Sequence, residues 1–280
     1  MSGQSSPEIF VIGTASLDIL HLANGQTVPA AGGAGMYTAL AAWFAGARAG
    51  LFAPRPDPLP KPLEPVAQYL RWIGPVISGE ELPRLEIEHH GRGQATLLHA
   101  SWGAEAQFVP AIMPAEVFAA RVVHIAALST AERQLAFLHT LKDRLRPLVS
   151  VGTYARLVYG ETEQVQQLLA QADLFFMNEN EANGLFGRLD QAQTRSGALL
   201  FITLGENGVL VVEGGQQTHI PAQPVTELDP TGAGDSFCGA TLAGLVQGKS
   251  PVAAAQEAVI VAAQTVSAIG PAALLAGQSQ

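Results

Sequence analysis

The sequence predicts an α/β protein whose central sheet is mostly parallel, covered by helices on both faces and extended by a small β insertion. Three observations carry this prediction. From residue 121 onward, short apolar runs alternate with longer segments of helical period, the rhythm of parallel strands joined by helices. Between residues 85 and 109 that rhythm gives way to short alternating runs separated by Gly91, Gly93 and Gly103, the pattern of antiparallel strands outside the main sheet. Apolar residues make up 48% of the 280-residue chain and charged residues 14%, which excludes global disorder. A chain of this length buries roughly three quarters of its unfolded surface as one domain. No repeat or low-complexity linker divides it, so residues 1–280 read as a single unit.

Each element has a local reason. Ile9-Phe10-Val11-Ile12 is an unbroken apolar run stopped by Gly13, as expected of a buried strand. Gly32-Gly33-Ala34-Gly35 is a flexible entry to an Ala-rich helix over 36–45, which Gly46 closes. A strand follows at 50–53, then a proline-punctuated loop over 54–60 and a helix over 63–72. The insertion supplies strands at 85–89, 94–101 and 104–109. Strands at 122–126, 148–151 and 174–177 then alternate with helices at 131–145, 161–172 and 179–186. Strands at 198–203, 208–212 and 217–222 are joined by tight glycine turns, and helices over 236–246 and 252–269 complete the domain.

Composition narrows the function. Fifteen Lys and Arg against 24 Asp and Glu leave a net charge of −9, a field that opposes a nucleic-acid surface. No Lys or Arg precedes Arg48, so the basic flank of a targeting peptide is missing. Cys238 is the single cysteine and no zinc-ligand spacing occurs, which fits a reducing, cytoplasmic home. The uncharged stretches 19–47 and 258–280 are Ala- and Gly-rich and broken by Asn24, Pro29, Gln264 and Pro271. They read as buried helices rather than membrane spans.

The segment with most chemistry is Asp229-Pro230-Thr231-Gly232-Ala233-Gly234-Asp235, placed at the start of a helix. The glycines allow a tight turn, and the helix begins with unpaired N–H groups at the positive end of its dipole, which together favour an anion. Asp235 opposes that anion, which suits a base taking a proton from an attacking hydroxyl while the N–H groups hold a transferred phosphoryl group. A plain helix cap is the other reading open to it. A Walker A loop is excluded, because Gly248-Lys249-Ser250 lacks the upstream glycine. A dinucleotide fingerprint is excluded by the missing third glycine after Gly232 and Gly234 and by the position near the C-terminus.

The run Asp229–Asp235 resembles the D-x-x-G-A-G-D signature of the ribokinase-like (PfkB) carbohydrate kinases, and three further matches follow in the family's order along nearly the whole chain. Asn178-Glu179-Asn180-Glu181 is similar to the N-x-x-E element, though as a local pattern it is also a capping box. Thr203-Leu204-Gly205-Glu206-Asn207-Gly208 is similar to the nucleotide-cradling T-x-G-x-x-G turn. Gly32-Gly33 with Ala39 and Gly46 resembles the N-terminal acceptor-site signature. The resemblance implies a three-layer ribokinase-like domain in which the strands at 85–109 form a lid. It implies a catalytic group of Asp235 with the amides of Gly232, Ala233 and Gly234. It places ATP along Asn178, Glu181, Thr203, Gly205, Gly208, Val225 and Asp229, and Mg2+ on Glu181 through water. It places the acceptor on Asp18, Gly32, Gly33 and Tyr37.

Departures from the family pattern shape the acceptor. Tyr37 stands where relatives carry Asn, Ala34 where ribokinases proper carry Lys, and Gly152-Thr153-Tyr154 where many relatives carry D-P-N. Both of the first two changes remove polar contacts to a sugar, which favours a nucleoside, a cyclitol or a modified sugar. The expected activity is transfer of the γ-phosphoryl group of ATP to a hydroxyl of a sugar, polyol or nucleoside, by a monomer or homodimer without nucleic-acid or membrane partners. A catalytically idle nucleotide or sugar sensor is the alternative, and a kinase of vitamin-precursor alcohols a third reading. The seven histidines show no ligand spacing; His89, His90 and Arg92 fall in the lid strands, within reach of an acceptor.

Overall fold

The structure is a computed structural model that describes residues 6–91, 94–143 and 147–276. The first strand, β1 (Ile9–Ile12), enters a small sheet through β2 (Ser16–His21) and β3 (Thr27–Gly32), and then α1 (Ala34–Phe44) returns the chain to β4 (Ala49–Phe52). A short pair, β5 (Arg55–Pro56) and β7 (Val76–Ile77), flanks α2 (Glu64–Tyr69) and β6 (Arg71–Ile73). The hairpin β8 (Arg84–Gly91) and β9 (Gln94–Ser101) completes the small sheet. The chain continues through α3 (Ala115–Ala119), β10 (Val122–Ile125), α4 (Ala131–Lys142), β11 (Leu148–Gly152), α5 (Ala155–Gly160) and α6 (Thr162–Gln171). Then come β12 (Leu174–Asn178), α7 (Glu179–Phe186), β13 (Leu199–Thr203), β14 (Val209–Glu213), β15 (Gln216–Ile220), α8 (Ala233–Val246), α9 (Pro251–Val266) and α10 (Ala272–Ala276).

The described strands form a large sheet in the order β15-β14-β13-β12-β11-β10-β1-β4-β6, parallel except for the β14 and β15 edge. Alternation along each strand splits the core in two. Ile9, Val11, Leu51 and Phe176 face α1, α8 and α9, whereas Phe10, Ile12, Val123 and Phe175 face α4, α6 and α7. Two dry layers either side of one sheet are the reason the parallel strands read as continuous apolar runs. No helix among the described residues is long and apolar enough to cross a membrane.

Three expectations fail locally. Residues 104–109 are not a strand: Gly103–Gln107 is a 3-10 turn, held by Arg133 donating to the carbonyls of Glu105 and Phe108 and by the Glu105 carboxylate accepting from Ser129. The stretch 19–47 is not helical throughout, because β2 and β3 precede α1. In β2 the buried alternate positions are Ser16, Asp18 and Leu20, with Ile19 exposed, so polar residues occupy the inward face and invert the usual signal. The predicted helix over 63–72 stops at Tyr69, and Arg71–Ile73 pairs with β4 instead. The small sheet therefore has the order β3-β2-β8-β9 and takes half its strands from the N-terminal segment.

One close approach positions the site. A Cβ on Gly239, in α8, would lie 2.1 Å from the Thr38 carbonyl oxygen of α1, so only glycine lets the two helices touch backbone to backbone. On an isolated helix Gly→Ala stabilises by about 1 kcal/mol. Gly239→Ala should do the reverse here, because overpacking a dry helix contact costs roughly 1–3 kcal/mol or more; a thermal midpoint several degrees lower than that of the unaltered protein is the expected result of a melting experiment.

Candidate active site

The turn that begins α8 is built by internal hydrogen bonds. Asp229 is 1% exposed, and its carboxylate accepts from the Thr231 amide at 2.9 Å and the Gly270 amide at 2.8 Å. The chain then passes through Gly232 at φ 75°, a left-handed conformation that favours glycine. A Cβ at Gly232 would also stand 2.4 Å from the ring of Tyr37, which is 1% exposed. The turn is thus seated face-on against an aromatic ring. The Ala233 amide donates to the Pro230 carbonyl at 3.3 Å and the Ser236 amide to Gly232 at 2.8 Å. The amides of Gly232, Gly234 and Asp235 have no acceptor among the described residues, so they remain as donors at the positive end of a fourteen-residue helix.

These donors open into a cavity of about 340 Å³ between the small sheet and the carboxyl ends of β1, β10, β11, β12 and β13. That is where open parallel sheets bind ligands. Asp235 lines it, half-buried, and burial pushes its carboxyl up to about 6. Asp18 enters from β2, where burial raises its carboxyl to about 6 against the lowering influence of the Ser16 hydroxyl and the Leu85 amide. The Leu85 amide donates to Oδ1 at 3.2 Å, and Oδ2 is buried without a partner among the described residues. Gly32 lies directly behind that oxygen, since a Cβ there would be 1.8 Å from it.

Asn178 ends β12 and caps α7. Its Oδ1 accepts from the Glu181 amide at 2.9 Å, while Glu181 accepts from the Asn178 amide at 2.8 Å and side-chain nitrogen at 2.7 Å. The capping box is real, and both residues also line the cavity. Burial, reinforced by the charge of Asp235, raises the Glu181 carboxyl to about 7. Asp18, Glu181 and Asp235 all line the cavity, and no Lys or Arg does among the described residues. Two raised carboxylates in one cavity, Glu181 and Asp235, without a Lys or Arg among the described lining residues suit a hydrated divalent cation beside them. No group of three or more His, Cys, Asp or Glu among the described residues is placed to hold a metal directly.

The other predicted residues divide. Gly33, Tyr37, Thr203, Gly232 and Gly234 line the cavity. Gly205 and Gly208, at φ 58° and 95°, shape the turn after β13 without lining it. Val225 is 45% exposed on the loop before α8 and also stands outside it. Asp229 anchors the turn through the amides of Thr231 and Gly270 and stands outside the cavity lining. The Ala233 amide is likewise spent on Pro230. His89 points at Asp229 and Thr231 rather than into the cavity, His90 bonds Thr96, and Arg92 lies outside the described residues. Trp102 and Tyr154, with ring centroids 6.3 Å apart, form a cavity wall with Leu97 that sequence reasoning missed. Their only signal was an aromatic residue at each of two loops far apart in the chain. His124 is fully buried, and burial lowers its pKa to about 3, so it stays neutral against Ser150 and Cys238. Burial pushes the Cys238 thiol well up, which leaves it unsuited to nucleophilic work.

A family model described as pfkB family carbohydrate kinase matches residues 76–276. The chain is 30% identical to a cytidine kinase of Thermococcus kodakarensis over 251 residues, which cover 86% of this chain and 90% of that one. Among solved structures, an adenosine kinase from Sinorhizobium meliloti superposes with a TM-score of 0.80 at 19% identity, covering 95% of this chain and 96% of that one. A ribokinase from Cryptococcus neoformans in complex with ADP does so with a TM-score of 0.79 at 20% identity, covering 95% of each chain.

The raised carboxyl of Asp235 has a stability consequence. Its folded-state pKa of about 6 exceeds the ordinary value of 3.8, so folding disfavours the charged form. The destabilisation is absent at low pH, grows through that interval and is complete above it. Asp235→Asn should therefore raise the melting temperature at pH 8 and raise it much less at pH 4.5, as followed by circular dichroism.

Proposed function

The chain belongs to the pfkB family of carbohydrate kinases, and from that premise we propose that it transfers the γ-phosphoryl group of ATP to a hydroxyl of an uncharged nucleoside, sugar or polyol. The observation that carries this reading is Asp235, facing the cavity beside the unengaged amides of Gly232 and Gly234. The Asp235 carboxylate takes the proton of the acceptor hydroxyl as its oxygen bonds the γ-phosphorus and the bond from that phosphorus to the β,γ-bridging oxygen breaks. The amides of Gly232, Gly234 and Asp235 hold the charge on the transferred group. Asp18, with one oxygen free, accepts from acceptor hydroxyls. The nucleotide extends toward Thr203, the turn at Gly205 and Gly208, and the loop of Val225. Magnesium, held through its water by Glu181 beside Asn178, supplies neutralisation of phosphate charge. The small sheet, through Leu85, Ile87 and Leu97, acts as a lid that keeps water from the acceptor.

The acceptor follows from the lining. Three carboxylates and no Lys or Arg among the described lining residues repel an acceptor that already carries phosphate. Trp102, Tyr154 and Leu97 offer an aromatic and apolar wall suited to a heterocyclic base, and the similarity to a cytidine kinase supports nucleosides as the leading class. The sensor alternative leaves Asp235 unexplained, since a binding protein gains nothing from a desolvated carboxylate beside its anion site.

Asp235→Asn should bind both substrates nearly normally and lose roughly 10²–10⁴ in kcat; a variant keeping a third of the normal rate removes the base assignment. In the unaltered enzyme kcat/KM should fall as pH drops below about 6, where Asp235 becomes protonated. The limb reports coupled carboxylates rather than one group. In a coupled assay of ATP consumption over nucleosides, sugars, inositols and sugar phosphates, turnover of a phosphorylated sugar faster than its parent sugar contradicts the acceptor class.

A further inference from the structure

His89 belongs to β8, in the sheet that covers the cavity, yet its side chain turns away from the cavity and is 2% exposed. Its Nε2 stands 3.1 Å from Thr231 Oγ1 and 3.5 Å from Asp229 Oδ1. Both partners lie in the turn that ends at Gly232. The same strand donates the Leu85 amide to Asp18. One strand of the cover is thus bonded to the acceptor-side carboxylate and also to the turn that carries the anion-binding amides.

The chemistry of the contact fixes its direction. Burial holds the imidazole pKa below its usual value, against the raising charges of Asp229 and Glu227 and with the lowering charge of His90. The ring is therefore neutral at pH 7 with one N–H. Nε2 faces a carboxylate and a hydroxyl oxygen, whereas Nδ1 is buried without a partner among the described residues. The proton belongs on Nε2, because an unmatched lone pair is tolerated better than an unmatched N–H. With Nε2–H donating, the Thr231 hydroxyl keeps its own proton for the cavity that Thr231 lines.

We propose that His89 is a positioning residue that latches the covering sheet to the Asp229–Thr231 turn, so that closing over the acceptor and aligning the Gly232–Asp235 cradle are one event. The proposal rests on the kinase reading of Asp235. Its test uses His89→Ala, His89→Gln and Thr231→Val in the full chain. Gln places an amide N–H near the position of Nε2, and Val keeps the shape of Thr without its hydroxyl. In the alanine variant kcat should fall roughly 10- to 100-fold, while KM for ATP and for cytidine stays within a few-fold. Gln should recover most of that rate, and Val should resemble Ala. Equal impairment of the Ala and Gln variants, or a kcat for the Ala variant within twofold of the unaltered enzyme, overturns the latch.

Amide hydrogen exchange on the resting protein separates this from the kinase reading itself. The Thr231, Ser236 and Gly270 amides should exchange faster in the Ala and Val variants, with β12 and β13 unchanged. Unaltered exchange at those three amides overturns the latch whatever the activity shows. An unaltered enzyme that phosphorylates no acceptor, with exchange as expected, overturns the kinase reading alone.

Discussion

Everything at the site depends on how closely the amino end of α8 is pressed against α1. Gly239 lets the two backbones meet, and Gly232 lies on the Tyr37 ring where no side chain fits. A helix held that far inward delivers its unpaired amides to the cavity instead of to bulk water, where a dipole has little effect. Tyr37 matters here as a floor. Gly232 packs on its ring, and its hydroxyl is buried without a partner among the described residues.

The second constraint is electrostatic. Asp18, Glu181 and Asp235 are brought into one cavity with no Lys or Arg among the described lining residues, and each carboxyl titrates above its ordinary range because burial disfavours its charge. A fold optimised only for stability would replace them. Their presence together beside a helix start is the arrangement expected of a site whose charges are completed by what binds there. The same raised value readies Asp235 to accept a proton near neutrality, so the stability deficit and the chemistry share one cause.

Much of the fold was legible because parallel strands buried on both faces must be continuously apolar and their helices must repeat near 3.6 residues. The strands at Leu174 and Leu199 met that rule and formed where expected; those at Val122 and Leu148 formed there too, with their inward polar residues His124 and Ser150 bonded to each other. β2 did not, because its inward positions are Ser16 and Asp18, polar for the sake of the cavity. The turn at 104–109 had strand-like residues, but Arg133 from α4 and Ser129 before it claim its carbonyls and the Glu105 carboxylate, a partnership invisible to any local window.

The sequence by itself determined the alternation of strands and helices from Val122 onward, the Gly232–Asp235 turn and the Asn178–Glu181 cap, since each depends on residues close to one another in the chain. Tertiary structure alone decided which of those groups line the cavity. Asp229 accepts from the amides of Thr231 and Gly270 outside the cavity lining, while Trp102 and Tyr154, from loops far apart in the chain, come together in one cavity wall. Hydrogen-bond satisfaction of buried groups and the meeting of distant loops are properties of the packed chain, and no short stretch of residues encodes them.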